Sequence, residues 1–408
     1  MSFLVEHPNS EINNSFNISG SKSESNRLLI LKSLLNNLKI KNISDSDDTI
    51  SLQHGLNSKS GLVNVHHAGT AMRFLTAYFS VQDGECYEIS GSQRMHERPI
   101  GVLVNALNDL GAEIKYIGKK GYPPLKIKGK KFNKFEVSLD ANISSQYISA
   151  LILIAPSLEK GLVINLLGDI TSKPYVKMSL GLLKRIGIDF SFKKNKISIK
   201  PIQNQQNSIH YVESDWSSIS YFYSIVALSN ESNLNIGSFF SDSLQGDRAL
   251  IKIYKRLGVQ TFFNKNIINL KKDKNFKLPK KLTFQLNDTP DLAQTIAVTC
   301  FGLGISCDLY GLKTLKIKET DRLLALKNEL VKLGANVEIT NESIHLKKSK
   351  TINSKIKIDT YADHRMAMAF APLAIIKPII INDPTVISKS FPSFWTLLRK
   401  LNFEISEY

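Results

Sequence analysis

The chain has 408 residues, 42% of them hydrophobic, and 53 Lys and Arg against 36 Asp and Glu, a formal net charge of +17. That length and composition exclude a disordered chain and favour two or three domains with sizeable cores. The basic excess is dispersed in pairs such as Lys193-Lys194, Lys271-Lys272, Lys280-Lys281 and Lys347-Lys348, which is a solvated surface rather than a nucleic-acid stripe, although its field would draw small anions.

Residues 1–15 show no basic segment leading into an apolar one, so no signal or transit peptide is expected. Ser21-Lys22-Ser23-Glu24 then opens the first apolar segment and matches a capping box, in which Ser21 and Glu24 would satisfy each other's backbone. That pattern leaves Lys22 unexplained, and also the shared face of Ser23 and Arg27 at i, i+4. Ala68-Gly69-Thr70 opens a second segment with a glycine that permits close backbone approach and Arg73 one turn later; alone it reads as a turn. Arg94-Met95-His96-Glu97-Arg98 carries two arginines four apart, each a planar fork suited to carboxylate or phosphate. Ser144, Ser145 and Gln146 put two hydroxyls and an amide at another buried helix start. Asp291 precedes a further apolar helix, where it is either an ordinary N-cap or a carboxylate able to take a proton from a bound hydroxyl.

Lys318-Glu319-Thr320-Asp321-Arg322 packs two cations and two carboxylates into five residues before a helical run over 323–333. Glu319 and Asp321 point different ways on a helix, so at most one faces a ligand while the other braces Lys318 or Arg322. Asp363-His364-Arg365 repeats the arginine at a helix start. Helix N-termini present unpaired N–H groups and partial positive charge. Several polar helix starts of one design therefore point to a shared anionic ligand.

A helix-glycine-strand phrase recurs at 107–114, 182–188, 254–259 and 330–337, with a fifth at 398–405 in which Asn402 replaces glycine. Gly111, Gly187, Gly258 and Gly334 mark left-handed helix ends, about 70 to 76 residues apart, a period that holds one α/β unit. Six uniformly apolar helices with polar starts, over 23–35, 69–79, 144–154, 217–228, 291–303 and 365–376, read as buried. With alternating segments such as 135–139 and 282–286 between them, they predict six related α/β units. The first is trimmed, because Asn26 and Ala71 stand closer together than later counterparts. A seam near 211–215 divides the helices three and three. Cys86, Cys300 and Cys307 lack disulfide or zinc spacing, no apolar run reaches the roughly 20 residues of a membrane span, and a cytoplasmic location is expected. His96 has no second ligand at metal spacing, and neither a Walker motif nor a dinucleotide fingerprint is present.

In order along the chain, Gly20 to Arg27, Ala68 to Arg73, Arg94 to Ile100, Ser144 to Gln146, Ser172 to Tyr175, Lys318 to Arg322 and Asp363 to Met368 resemble the signature set of the 5-enolpyruvylshikimate-3-phosphate synthase family. The resemblance implies an α/β fold of two inside-out barrel-like domains, each of three repeated α/β units, closing like a hinge around the active site. Residues 14–213 would form the shikimate-3-phosphate side, and 1–13 plus 214–408 the C-terminal domain. It implies addition-elimination chemistry that moves the enolpyruvyl group of phosphoenolpyruvate to the 5-hydroxyl of shikimate-3-phosphate, on the route to chorismate and the aromatic amino acids.

By the same resemblance Ser23, Arg27, Ser144, Ser145, Gln146, Ser172, Tyr175, Asp291 and Lys318 would hold shikimate-3-phosphate. Lys22, Gly69, Arg94, Gln146, Arg322, Arg365 and Lys389 would hold phosphoenolpyruvate. Asp291 would take the proton from the attacking hydroxyl, and Glu319, with Lys22 assisting, would supply one to the methylene carbon. No metal, organic cofactor, nucleic acid or membrane is implied, and a monomer is expected. Ser19, His67, Phe74 (where proline usually follows the arginine), Thr314 and the short stretch 52–66 depart from the family pattern. The alternative is the sister enolpyruvyl transferase acting on UDP-N-acetylglucosamine, which usually has a reactive loop cysteine in its first half. Here the one first-half cysteine, Cys86, lies in a strand-like segment.

Overall fold

Apolar segments with polar starts fold as helices and alternating segments as strands in the computed structural model, which describes residues 1–8, 11–35, 37–203, 207–349 and 351–408. The chain divides into two units, Gly20–Val212, and Met1–Ser19 with Glu213–Tyr408.

The unit Gly20–Val212 contains helices α1 (Lys22–Leu34), α2 (Asp47–Asn57), α3 (Gly69–Ser80), α4 (Gln93–His96), α5 (Gly101–Leu110), α6 (Ser145–Ile154) and α7 (Lys173–Arg185). Helices α1, α3 and α6 pack on one another. In α3 every residue but Thr70 is buried, and in α6 every residue but Gln146, as their all-round apolarity requires. Each of Leu151, Ile152, Leu153 and Ile154 is fully buried, and each such side chain stabilises by about 2 kcal/mol.

Strand Gly61–Asn64 runs parallel to Cys86–Ser90, which pairs antiparallel with Leu125–Lys128, itself antiparallel to Glu113–Tyr116. A parallel pair needs a long crossover, and α3 is that crossover. The same order recurs in Glu136–Asp140, Leu162–Leu167, Lys196–Ile199 and Phe190–Lys193, with α6 as crossover. The third sheet keeps only a parallel pair, Leu38–Lys41 with Ser208–Tyr211; the trimming expected of the first unit shows there as a missing hairpin among the described residues.

The second unit contains α8 (Trp216–Leu228), α9 (Leu250–Lys255), α10 (Ala293–Gly302), α11 (Arg322–Lys332), α12 (His364–Phe370) and α13 (Phe394–Lys400). Helices α8, α10 and α12 pack together and are buried along nearly their whole lengths. Two apolar helices are shorter than their sequence pattern: a 3-10 turn, Pro290–Leu292, precedes α10, and another, Ala371–Ile375, replaces the end of α12. Pro372 lacks the N–H that would continue α12.

Three four-stranded sheets repeat the order seen in the first unit. In one, Ser2–Glu6 lies between Ile379–Asn382 and Glu404–Glu407. In another, Glu11–Asn17 runs parallel to Glu231–Gly237. The first residues thus complete two sheets whose other strands come from the second half. Among the described residues no helix is long and apolar enough to cross a membrane.

Candidate active site

In the unit Gly20–Val212 the expected capping box does not form. The Ser21 side chain makes no cap to α1, and Glu24 turns inward to His210, whose Nε2 lies 2.8 Å from Glu24 Oε1 with both side chains buried. A buried carboxylate gains more from that partner than from a backbone N–H at a helix end. Lys22 Nζ lies 3.1 Å from Asp48 Oδ2. Arg27 is buried, and its Nε donates to Ser179 Oγ at 2.8 Å, Nη1 to Ser23 O at 2.7 Å and Nη2 to Ser149 Oγ at 3.2 Å. Burial pushes the guanidinium down to about 10, against the opposing influence of Tyr175 and Glu24. Every hydrogen-bond partner of Arg27 among the described residues is neutral, so its charge is left for an anion.

Ser144 caps α6 by accepting from Gln146 N at 3.3 Å, and Gln146 Nε2 donates to Thr70 Oγ1 at 3.2 Å, which ties the start of α6 to the start of α3. A Cβ at Gly69 would lie 2.6 Å from the Arg98 guanidinium, the movable end of that side chain, which would have to shift to admit it. Ser145 and Ser172 are buried, and Ser172 precedes α7 in a left-handed conformation with φ of 54°, strain of the kind found at ligand clamps. Tyr175 stands in the first turn of α7. Arg94 lies on the one-turn helix α4, half-exposed and 2.8 Å from Glu97.

The second unit concentrates charge. Arg322, 2% exposed, donates through Nε to Asp363 at 2.6 Å, through Nη1 to Asp291 at 2.8 Å and through Nη2 to Glu319 at 2.8 Å. Burial alone would lower the Arg322 guanidinium, but Asp363, Glu319 and Asp291 outweigh it and hold it well above its ordinary value. Asp291 is not a helix cap. Lys318 Nζ lies 3.3 Å and Arg365 Nη2 3.6 Å from its carboxylate. Burial would raise the Asp291 carboxyl, yet Lys318, Arg365 and Arg322 together hold it well below the usual carboxylate range. Lys389 Nζ, buried, stands 3.7 Å from Glu319 Oε1. Asp321 caps α11 by accepting from Leu324 N, so Glu319 is the partner of Arg322. Asp363 likewise caps α12 through Arg365 N.

Four cations, Lys318, Arg322, Arg365 and Lys389, thus meet three carboxylates, Asp291, Glu319 and Asp363. An incoming carboxylate or phosphate can replace Asp291 and Glu319 as partner of these cations. Asp291 so released loses the charges that depress it and gains basicity.

A family profile for EPSP synthase (3-phosphoshikimate 1-carboxyvinyltransferase) matches residues 52–398. A Bacteroides fragilis (strain YCH46) protein named 3-phosphoshikimate 1-carboxyvinyltransferase is 43% identical over 409 residues, covering 99% of each chain. One of the same name from Neisseria meningitidis serogroup C is 34% identical over 413 residues, covering 94% of each. The chain belongs to the EPSP synthase family. A solved EPSP synthase from Acinetobacter baumannii shares the fold with a TM-score of 0.78 at 20% identity, over 100% of both chains.

The structure gives the surroundings of three positions expected to depart from the family pattern. Phe74 places its ring 5.4 Å beneath the Arg27 guanidinium. His67 Nε2 lies 3.9 Å from Asp47 Oδ2. Thr314 Oγ1 is buried without a hydrogen-bond partner among the described residues. Sequence reasoning missed Asp48, the partner of Lys22, and the hydroxyls of Ser149 and Ser179. The two serines carry a signal, since each stands one turn past a polar residue in the first turn of its helix, Ser145 and Tyr175, whereas Asp48 follows Asp47 with no motif around it.

Proposed function

We propose that this member of the EPSP synthase family transfers the enolpyruvyl group of phosphoenolpyruvate to the 5-hydroxyl of shikimate-3-phosphate and releases phosphate. The observation that carries this reading is the buried cluster in which Lys318, Arg322 and Arg365 crowd one carboxylate, Asp291. Phosphoenolpyruvate and shikimate-3-phosphate are both strongly anionic, and a site that joins them must neutralise their repulsion and fix their orientation.

Arg322, Arg365, Lys389, Lys22, Gly69, Arg94 and Gln146 would hold phosphoenolpyruvate. Ser23, Arg27, Ser144, Ser145, Gln146, Ser172, Tyr175 and Lys318 would hold shikimate-3-phosphate. Once the ligand anions engage the cations, Asp291 takes the proton of the attacking hydroxyl as its oxygen bonds to the substituted carbon of phosphoenolpyruvate. Glu319, with Lys22, gives a proton to the methylene carbon. One proton of the resulting methyl group then returns to Glu319 as the carbon–oxygen bond to phosphate breaks, which forms the enol ether and releases phosphate. The finer fold reading goes with this function: two inside-out domains of three repeated units closing on the substrates, with residues 14–19, expected in the first domain, going instead with the second because Glu11–Asn17 pairs with Glu231–Gly237. A monomer working in the cytoplasm belongs to the same reading.

The test is phosphate release by purified protein given phosphoenolpyruvate and shikimate-3-phosphate, beside Asp291→Asn and Glu319→Gln. Release that requires shikimate-3-phosphate and falls by about 100-fold or more in each variant is expected, the usual size of a lost general acid or base. Release with UDP-N-acetylglucosamine in place of shikimate-3-phosphate would favour the sister activity, for which the exposed strand cysteine Cys86 is poorly placed as a mobile-loop nucleophile.

A further inference from the structure

The hydroxyls that grip Arg27 belong to no motif and no role assigned above, and we infer that Ser149 and Ser179 are positioning residues that present the Arg27 charge to the bound anion. The inference rests on the proposed function and names two further residues for it.

Both serines are completely buried, and Arg27 is 2% exposed. Ser179 Oγ accepts from Arg27 Nε at 2.8 Å, and Ser149 Oγ accepts from Nη2 at 3.2 Å. The two oxygens are 3.0 Å apart, and Ser179 Oγ also lies 3.1 Å from Tyr175 O. The single Ser179 proton therefore goes to one of those acceptors, and the lone pairs of both hydroxyls face the guanidinium. Two acceptors in fixed positions set the plane of the fork. The rings of Phe74 and Tyr175, 5.4 and 5.7 Å from the guanidinium carbon, set its height.

The chemistry of the acceptors matters as much as their place. A carboxylate at either position would orient Arg27 equally well but would cancel its charge. The acid near Arg27, Glu24, is instead bound to His210 at 2.8 Å. Arg27 is thus oriented in a dry seat by neutral oxygens and keeps its full charge, the arrangement in which an anion is stabilised without reorganisation on binding. The spacing repeats on three mutually packed helices: Ser23 and Arg27 on α1, Ser145 and Ser149 on α6, Tyr175 and Ser179 on α7, each pair at i, i+4. The outer member of each pair is one that family resemblance assigns to shikimate-3-phosphate. The inner members form a second tier one turn deeper.

Ser179→Ala and Ser149→Ala are the direct test, read as KM for each substrate and as kcat. A KM for shikimate-3-phosphate raised about tenfold in Ser179→Ala, and less in Ser149→Ala with its longer bond, is the expected loss of a charge-assisted hydrogen bond. The KM for phosphoenolpyruvate and kcat stay within about twofold, which also reports an intact fold. Ser179→Ala is then added to Arg27→Lys, whose compact ammonium cannot use the seat. If the serine acts through Arg27, the second change adds less than about twofold.

Variants that lower only thermal stability, with the shikimate-3-phosphate KM unchanged, would overturn the inference alone. So would full additivity in the Arg27→Lys background. Unaltered protein that neither binds shikimate-3-phosphate in calorimetry nor turns it over would overturn the functional reading and this inference with it.

Discussion

Asp247 is a buried carboxyl of the second unit that, among the described residues, has no cation in direct contact, and it accepts instead from Ser217 Oγ. Burial pushes it up to about 6, against the pull of Arg365 and Ser217. Its folded value lies above the ordinary 3.8, so the folded chain binds the proton more tightly, and the stability this contributes in acid is lost as pH rises from about 4 through about 6. A rise from 3.8 to about 6 corresponds to about 3 kcal/mol. Asp247→Asn, uncharged at every pH, should raise Tm at pH 8 and leave it nearly unchanged at pH 4; an equal difference at both pH values would rule out deprotonation as the cause. Arg322 is the converse case, a buried cation holding three carboxylates. Arg322→Met takes from the buried Asp363 its ion pair with Arg322 and leaves Asp291 and Glu319 with one cation fewer each, and its urea midpoint should fall by the equivalent of about 3–5 kcal/mol. At this scale Asp247 was not legible in the sequence, whereas Lys22, Arg322, Asp291 and Asp363 were, because each stands at a helix start. Their partners were not: Lys22 meets Asp48 across 26 positions, and Arg322 meets Asp363 across 41.

Helix ends were the most legible elements. Gly111, Gly187, Gly258 and Gly334 have φ of 114°, 84°, 81° and 98°, and Asn402 reaches 65° in the same role. These caps differ in their surroundings: a Cβ at Gly187 meets nothing within 4 Å, whereas one at Gly111 would lie 2.7 Å from Asn133 Oδ1. Gly187→Ala should therefore cost about 1 kcal/mol through backbone strain alone. Gly111→Ala should cost measurably more, and denaturant unfolding of the pair separates strain from collision. Helix starts were read less well. The capping box at Ser21 and Glu24 satisfies every local rule, yet Glu24 binds His210, which is 186 positions away in sequence. Likewise the apolar pattern over 365–376 runs on past the point where α12 gives way to a 3-10 turn at Ala371.

The strand Ser2–Glu6 sits inside a sheet between Ile379–Asn382 and Glu404–Glu407, with Val5 fully buried. Deleting residues 1–17 would leave those two strands without their shared neighbour and strip Glu231–Gly237 of its parallel partner. Hydrogen exchange should then show lost protection at 379–382, 404–407 and 231–237, while the sheet containing Cys86–Ser90 in the unit Gly20–Val212 keeps its own; uniform loss in both would contradict the separate assignment of residues 1–17. The α/β class, the repeat carried by six buried helices and the family were legible in the chain, because periodicity, glycine caps and the order of motifs are local properties. Which distant groups meet came only with packing: Asp48 beside Lys22, His210 on Glu24, Asp291 and Asp363 on Arg322, and Ser179 on Arg27 across 152 positions. Those pairings depend on how distant helices pack, and for Glu24 the gain from a buried distant partner in a dry interior exceeds that from the local cap its sequence offered.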